Sequence, residues 1–193
     1  MKKLLLTALF VGTFFCASAQ GNKNVEKGLF KINAFTPGVT YEVGIGKDMT
    51  INLDALLVLG GGSRGPKDFN IGLFPGFDAE FRYFNNFNRR LSKGKNIAGN
   101  SGNYWALNSG VLIGRPIIGT YNLVYDTSIH LGAVYGLQRT YKKGFYWNLS
   151  FGPGVVFTRE EFRFPSSTIN VDNTAFGIAG VGKIGWVIGG RKK

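Results

Sequence analysis

Asp126, Ser128 and His130 stand two apart along one stretch of the chain and carry the groups of a nucleophilic relay. A carboxylate, a hydroxyl and an imidazole act together only when nucleophile and base lie within hydrogen-bond reach, about 2.6–3.2 Å. In an extended strand the three would share a face, but at ~3.3 Å rise per residue alternate Cα atoms are ~6.6–7 Å apart. Their side chains then project in parallel, so contact is allowed without being favoured, and an internal hydrogen-bonded network is the expected role. His130 is the only histidine and Cys16 the only cysteine, which leaves no usual donor set for zinc. No catalytic residue, metal or cofactor is expected. Other isolated charges are Glu42, Asp54, Asp78, Glu80, Arg82 and Lys183, and a basic cluster gathers Arg89, Arg90, Lys93 and Lys95.

The elements that position these groups begin after an N-terminal address. Met1-Lys2-Lys3 leads into an apolar run over residues 4–16, and Ala17-Ser18-Ala19 closes it as a small-x-small cleavage site. Residues 1–19 are read as a cleaved secretory signal, and residues 20–193 as a single domain. Phe14 and Phe15 sit where lipoprotein processing needs small residues, so Cys16 is not read as lipidated. The remaining chain holds no cysteine, hence no disulfide or thiolate site. The formal charge is +12, yet Lys2 and Lys3 leave with the signal and export separates the chain from nucleic acid. Charged residues are 18% against the usual ~25%. With 29 glycines and 15% aromatics, the composition favours β-structure.

Period-two alternation recurs throughout the mature chain, and no 3.6-residue stripe appears. Met49, Ile51, Leu53, Ala55, Leu57 and Leu59 share one face, opposite Thr50, Asn52 and Asp54. A tight Gly46-Lys47-Asp48 turn joins this strand to an earlier one carrying Val39, Tyr41, Val43 and Ile45 against Thr40, Glu42 and Gly44. Further strands are expected over residues 71–84, 105–114, 122–138, 145–158 and 175–188. A short one over 29–35 brings the number to eight. Several exceed the five or six residues usual in soluble sheets and match the ~9–11 needed to cross a bilayer.

The charges all fall on the parity occupied by glycine, serine and asparagine. A small barrel has a narrow interior suited to compact paired polar groups, whereas its outer face must be continuously apolar. An arginine on the lipid face at mid-membrane would cost about 2–4 kcal/mol, so shared parity is required of a membrane barrel. Aromatics gather near the turns: Phe81, Tyr83, Phe84 and Phe87; Tyr104 and Trp105; Tyr141, Phe145, Tyr146 and Trp147; Phe162 and Phe164. Such rings suit the lipid–water boundary. The expected fold is all-β, a closed antiparallel transmembrane up-and-down β-barrel of eight strands.

Three longer connections are expected at residues 60–69, 85–103 and 160–173. The middle one carries the basic cluster, a solvated loop that could touch lipid phosphates or lipopolysaccharide. The first, with Gly60-Gly61-Gly62-Ser63-Arg64-Gly65, lacks the GxxxxGK[ST] pattern and a following helix, so it is read as a flexible tip.

The signal ending Ala17-Ser18-Ala19-Gln20, the segment Phe30-Lys31-Ile32-Asn33 and the run Pro37-Gly38-Val39-Thr40-Tyr41-Glu42-Val43-Gly44-Ile45-Gly46-Lys47 resemble small outer-membrane β-barrels of the Bacteroidota type. The resemblance implies an eight-stranded barrel in the outer membrane, placed by the insertion machinery, and transfers no catalytic residues. Such barrels often finish on an aromatic, whereas this chain ends Gly189-Gly190-Arg191-Lys192-Lys193, leaving Trp186 and Ile188 for that part. The expected function is structural or surface-interacting, with an interior mostly filled by side chains. The alternative is a narrow channel or a binding cavity for small or apolar solutes. A lipid-modifying barrel enzyme and a soluble secreted β-sandwich are further alternatives.

Overall fold

The computed structural model describes residues 24–63, 69–119, 127–164 and 167–189. The proposed signal segment, Asp126, and the tips at 64–68 and 165–166 lie outside them. Among the described residues each expected alternating segment contains a strand, the expected start at 122–126 lying outside them, and the strands run antiparallel in one sheet. In chain order they are β1 (Gly28–Phe35), β2 (Gly38–Gly44), β3 (Met49–Ser63), β4 (Phe69–Phe84), β5 (Gly102–Ile113), β6 (Ile118–Gly119), β7 (Thr127–Thr140), β8 (Phe145–Phe164) and β9 (Ser167–Gly189). One helix, α1 (Phe87–Ser92), stands between β4 and β5.

The sheet order is β3-β2-β1-β9-β8-β7-β5-β4-β6, and β3 also pairs with β4 along its whole length, from Met49↔Tyr83 to Ser63↔Phe69. That pairing joins the two sides of the sheet into a ring. Among the described residues eight strands of seven residues or more form the ring, matching the expected number; a ninth, two-residue strand was not expected. It arises where Gly119, at φ 103, lets the chain lie against Gly72 and Leu73 of β4. Two expected loops are strand in their described parts instead. Gly60–Ser63 stays in β3 because glycine, lacking a Cβ, admits the Phe74 ring beside Gly60. Residues 160–164 and 167–173 continue β8 and β9, still paired at Phe164↔Ser167.

Short turns gather at one end of the ring. The β2–β3 turn is closed by the Ile45 and Gly46 N–H groups donating to Met49 O at 3.0 and 3.3 Å. The β7–β8 turn is a single 3₁₀ turn at Lys142–Gly144, with Lys143 and Gly144 at φ 66 and 87. At the opposite end the strands are staggered. β2 pairs with β3 only as far as Gly38↔Leu56, and β1 with β9 only as far as Phe35↔Ile184. Above those points no described strand covers the facing sides of β3 and β9.

Candidate functional site

Alternation turns one parity of every long strand into the ring, and at the turn end that parity is charged. Lys31 of β1 reaches Glu42 of β2, Nζ to Oε2 2.5 Å, with both side chains fully buried. Arg82 of β4 pairs with Glu80, two residues back on the same face, and stands 3.7 Å from Glu42. Its guanidinium also lies 4.6 Å from the centre of the Tyr104 ring. Gln138 of β7 ties the group together. Its Oε1 accepts from Lys31 Nζ and Arg82, and its Nε2 donates to Glu42 at 3.1 Å. One layer further along, Lys183 Nζ meets Asp54 Oδ2 at 2.5 Å, and Asp54 also accepts from Thr40 and Asn52.

Three cations and three carboxylates therefore compensate one another out of water. A buried charge persists only when paired and hydrogen-bonded, and this cluster meets that condition. Of the residues expected in an interior network, Glu42, Asp54, Glu80, Arg82 and Lys183 are brought together here. Lys31 and Gln138 belong to the same cluster and were not in that set. Their signal was available, since Lys31 alternates with Phe30 and Ile32, and Gln138 with Leu137.

The β4–β5 connection packs its two ends into the turn end of the ring, while its basic middle is exposed as expected. Phe87 of α1 stacks on Phe84 with ring centres 4.6 Å apart and joins Val25, Tyr104, Ala106 and Val134 in a buried apolar cluster. Behind it, residues 99–101 dip into the ring. The Gly99 carbonyl accepts from Gln138 Nε2 and Thr140 Oγ1, Asn100 Oδ1 accepts from the Glu26 N–H at 2.9 Å, and Ser101 Oγ accepts from the Thr140 N–H at 2.8 Å. Gly99 and Asn100 adopt left-handed φ of 61 and 55, which this tight re-entry needs.

Arg89, Lys93 and Lys95 are exposed on the outside of this cap. Arg90 instead caps the Asn96 carbonyl at 2.7 Å, and partial burial pushes its guanidinium below the usual arginine value. The aromatic expectation is corrected in part here. Phe84, Phe87, Tyr104 and Tyr146 are buried inside the ring, because their parity is the inner one or they belong to the cap. Tyr83, Trp105, Tyr141 and Phe145 face outward.

Beyond the charged cluster the inner face changes character. Leu56, Val58, Leu112, Val156 and Val181 line a cavity of about 540 Å³. Aliphatic residues occupy the inner parity here, where Glu42, Arg82 and Lys183 occupy it in the cluster below. The cavity floor holds Asp78, Asn108, Ser128 and His130. His130 Nε2 is 3.4 Å from Asp78 Oδ1. Gly110 lies between their strands, and a Cβ there would strike both the Asp78 carboxylate and the His130 ring. The histidine's carboxylate partner is thus Asp78 of β4, reached across β5, and among the described residues no hydrogen bond joins Ser128 to His130. No cluster of metal-ligating side chains occurs among the described residues.

The arrangement can hold an apolar body above a polar floor. No protein-family profile, curated protein or solved structure matches the chain.

Proposed function

We infer that the ring is an integral β-barrel of the outer membrane, exported by its N-terminal segment, with a structural or surface-interaction role and no open pore. The observation that carries this is an inside-out distribution of side chains. Lys31, Glu42, Glu80, Arg82 and Lys183 are buried, while Trp105, Leu107, Phe151, Phe176 and Ile178 are exposed. Leu107 is 66% exposed, and Phe176 and Ile178 are 88% exposed. In water such a surface exceeds the patches monomers tolerate; in lipid it is what a barrel's outer face requires. Tyr83, Trp105, Tyr141, Phe145 and Trp186 mark the turn end of the outer face, where amphipathic rings favour the membrane boundary.

The cap and the charged cluster fill the lumen at one end, which supports a closed barrel over a conduit. The β8–β9 hairpin supports a surface role. Its pairing continues to Phe164↔Ser167, and the ribbon carries an exposed Arg159–Asp172 pair at 2.8 Å. Lipids, with lipopolysaccharide among them, and the insertion machinery are the proposed partners. Planar-bilayer recording of the purified protein is expected to show no resolved conductance. Reproducible single-channel steps would replace this reading with the channel alternative.

A further inference from the structure

The staggering of the strands leaves an opening in the wall of the ring that coincides with the cavity. The β1–β2 hairpin turns at Thr36 and Pro37, where Leu57 N–H donates to Pro37 O at 2.7 Å and Thr36 Oγ1 donates to Gly182 O at 3.2 Å. Past these bonds β3 runs on to Ser63 and β9 runs back to Ser167 with nothing described between them. Phe35, Thr36 and Gly182 border this gap and also line the cavity. The outward apolar surface continues above the hairpin, through Leu59 on β3 and through Ile178 and Phe176 on β9. The gap therefore opens sideways at a height where the outside is still apolar. Backbone left unpaired at membrane depth is tolerated where it lines a cavity.

The charges beneath give the cavity a polarity. Lys31, Arg82 and Lys183 compensate Glu42, Glu80 and Asp54. Asp78 is the carboxylate with no lysine or arginine in ion-pair contact, and His130 Nε2 stands 3.4 Å from it. The floor thus presents a carboxylate, and the walls above it are apolar. Gly177 of β9 also lines the cavity, and a Cβ built there meets nothing within 4 Å, so the space is open.

We propose that this cavity binds a cationic amphiphile, a lipophilic amine, with its ammonium on Asp78 beside His130 and its apolar tail leaving through the gap between β3 and β9 into the bilayer. An anionic amphiphile of equal length is excluded by the same carboxylate. The volume lies within the ~300–1,000 Å³ typical of small-molecule sites. The inference rests on the membrane-barrel reading, and its test separates the two.

The test uses the mature protein in phosphatidylcholine nanodiscs, with dodecylamine and dodecanoate as probes and empty discs as the blank. Dodecylamine is expected to bind saturably and dodecanoate to leave that binding unchanged. Asp78→Asn is expected to weaken dodecylamine binding by about tenfold or more, the worth of one charge-assisted hydrogen bond. Gly177→Trp, which fills open space without a backbone clash, is expected to abolish it. In the mature chain, which has no cysteine of its own, Gly177→Cys is expected to react with a bilayer-dissolved N-alkylmaleimide faster than with a sulfonated aqueous one.

Absence of saturable amine binding to protein that still shows heat-dependent gel mobility overturns the site and leaves the barrel standing. Equal competition by dodecanoate, or undiminished binding by Gly177→Trp, overturns it as well. Reaction of Gly177→Cys with the aqueous reagent alone overturns the lateral route. Protein that neither enters discs nor shifts on heating overturns the barrel reading and the site with it.

Discussion

Glu42→Ala is expected to lower the unfolding free energy by about 3–5 kcal/mol, the usual cost of removing one partner from a buried ion pair. Glu42 is fully buried and receives Lys31 Nζ, Thr50 Oγ1 and Gln138 Nε2, with Arg82 at 3.7 Å. Its loss strands two cations between Glu80 on one side and neutral groups on the other, out of reach of water. The effect is larger than that of the missing contact because desolvation of Lys31 and Arg82 is no longer offset. Glu42→Gln retains hydrogen-bonding atoms and loses only the charge, so an intermediate loss is expected. Urea titration in lipid vesicles, followed by tryptophan fluorescence, measures both. Asp172→Asn, at the solvent-exposed Arg159–Asp172 pair, is the matched control and is expected to leave the midpoint in place. A Glu42→Ala protein as stable as the parent would contradict an interior held by charge compensation.

The second large effect concerns the opposite surface. Phe151 lies midway along the outward run of β8 that begins at Phe145 and ends at Phe157, and it is 59% exposed. Phe151→Arg is expected to cost about 2–4 kcal/mol in a bilayer, where a guanidinium at mid-depth has no solvation. The same substitution on a water-facing sheet would fall within about 0.5 kcal/mol of neutral and would improve solubility. The sign of the comparison therefore reports the solvent around the ring. Equilibrium refolding into vesicles, compared between Phe151→Arg and parent, is the measurement. An unchanged folding free energy would place this face in water.

Parity carried most of what could be read before the fold was known. Glu42 between Tyr41 and Val43, and Arg82 between Phe81 and Tyr83, leave one face for charge and one for apolar groups, so strands and inner network follow from spacing alone. The cap did not follow, because residues 85–101 have no periodicity. The inward turn depends on Phe87 finding Phe84 and Tyr104, and on Gly99 and Asn100 adopting left-handed backbone. A binding cavity was among the alternatives, but its place in the ring was hidden for another reason. Ala55-Leu56-Leu57-Val58-Leu59 is apolar on both faces, so alternation fades just where the inner lining changes from charged to aliphatic. Nor could spacing show that His130 meets Asp78, since that contact crosses β5 over Gly110 and pairs residues far apart in the chain. The Asp126-x-Ser128-x-His130 motif drew attention to the right histidine; Asp126 itself lies outside the described residues.

The proposal that the ring is a lipid-embedded barrel is tested most directly by membrane fractionation with gel mobility before and after heating. A ring closed by the β3–β4 pairing and held by a buried charged cluster should resist detergent until heated. The account predicts protein in the outer-membrane fraction, retained through a carbonate wash, running faster unheated than boiled. Protein recovered in the soluble fraction, with one mobility at both temperatures, would contradict it.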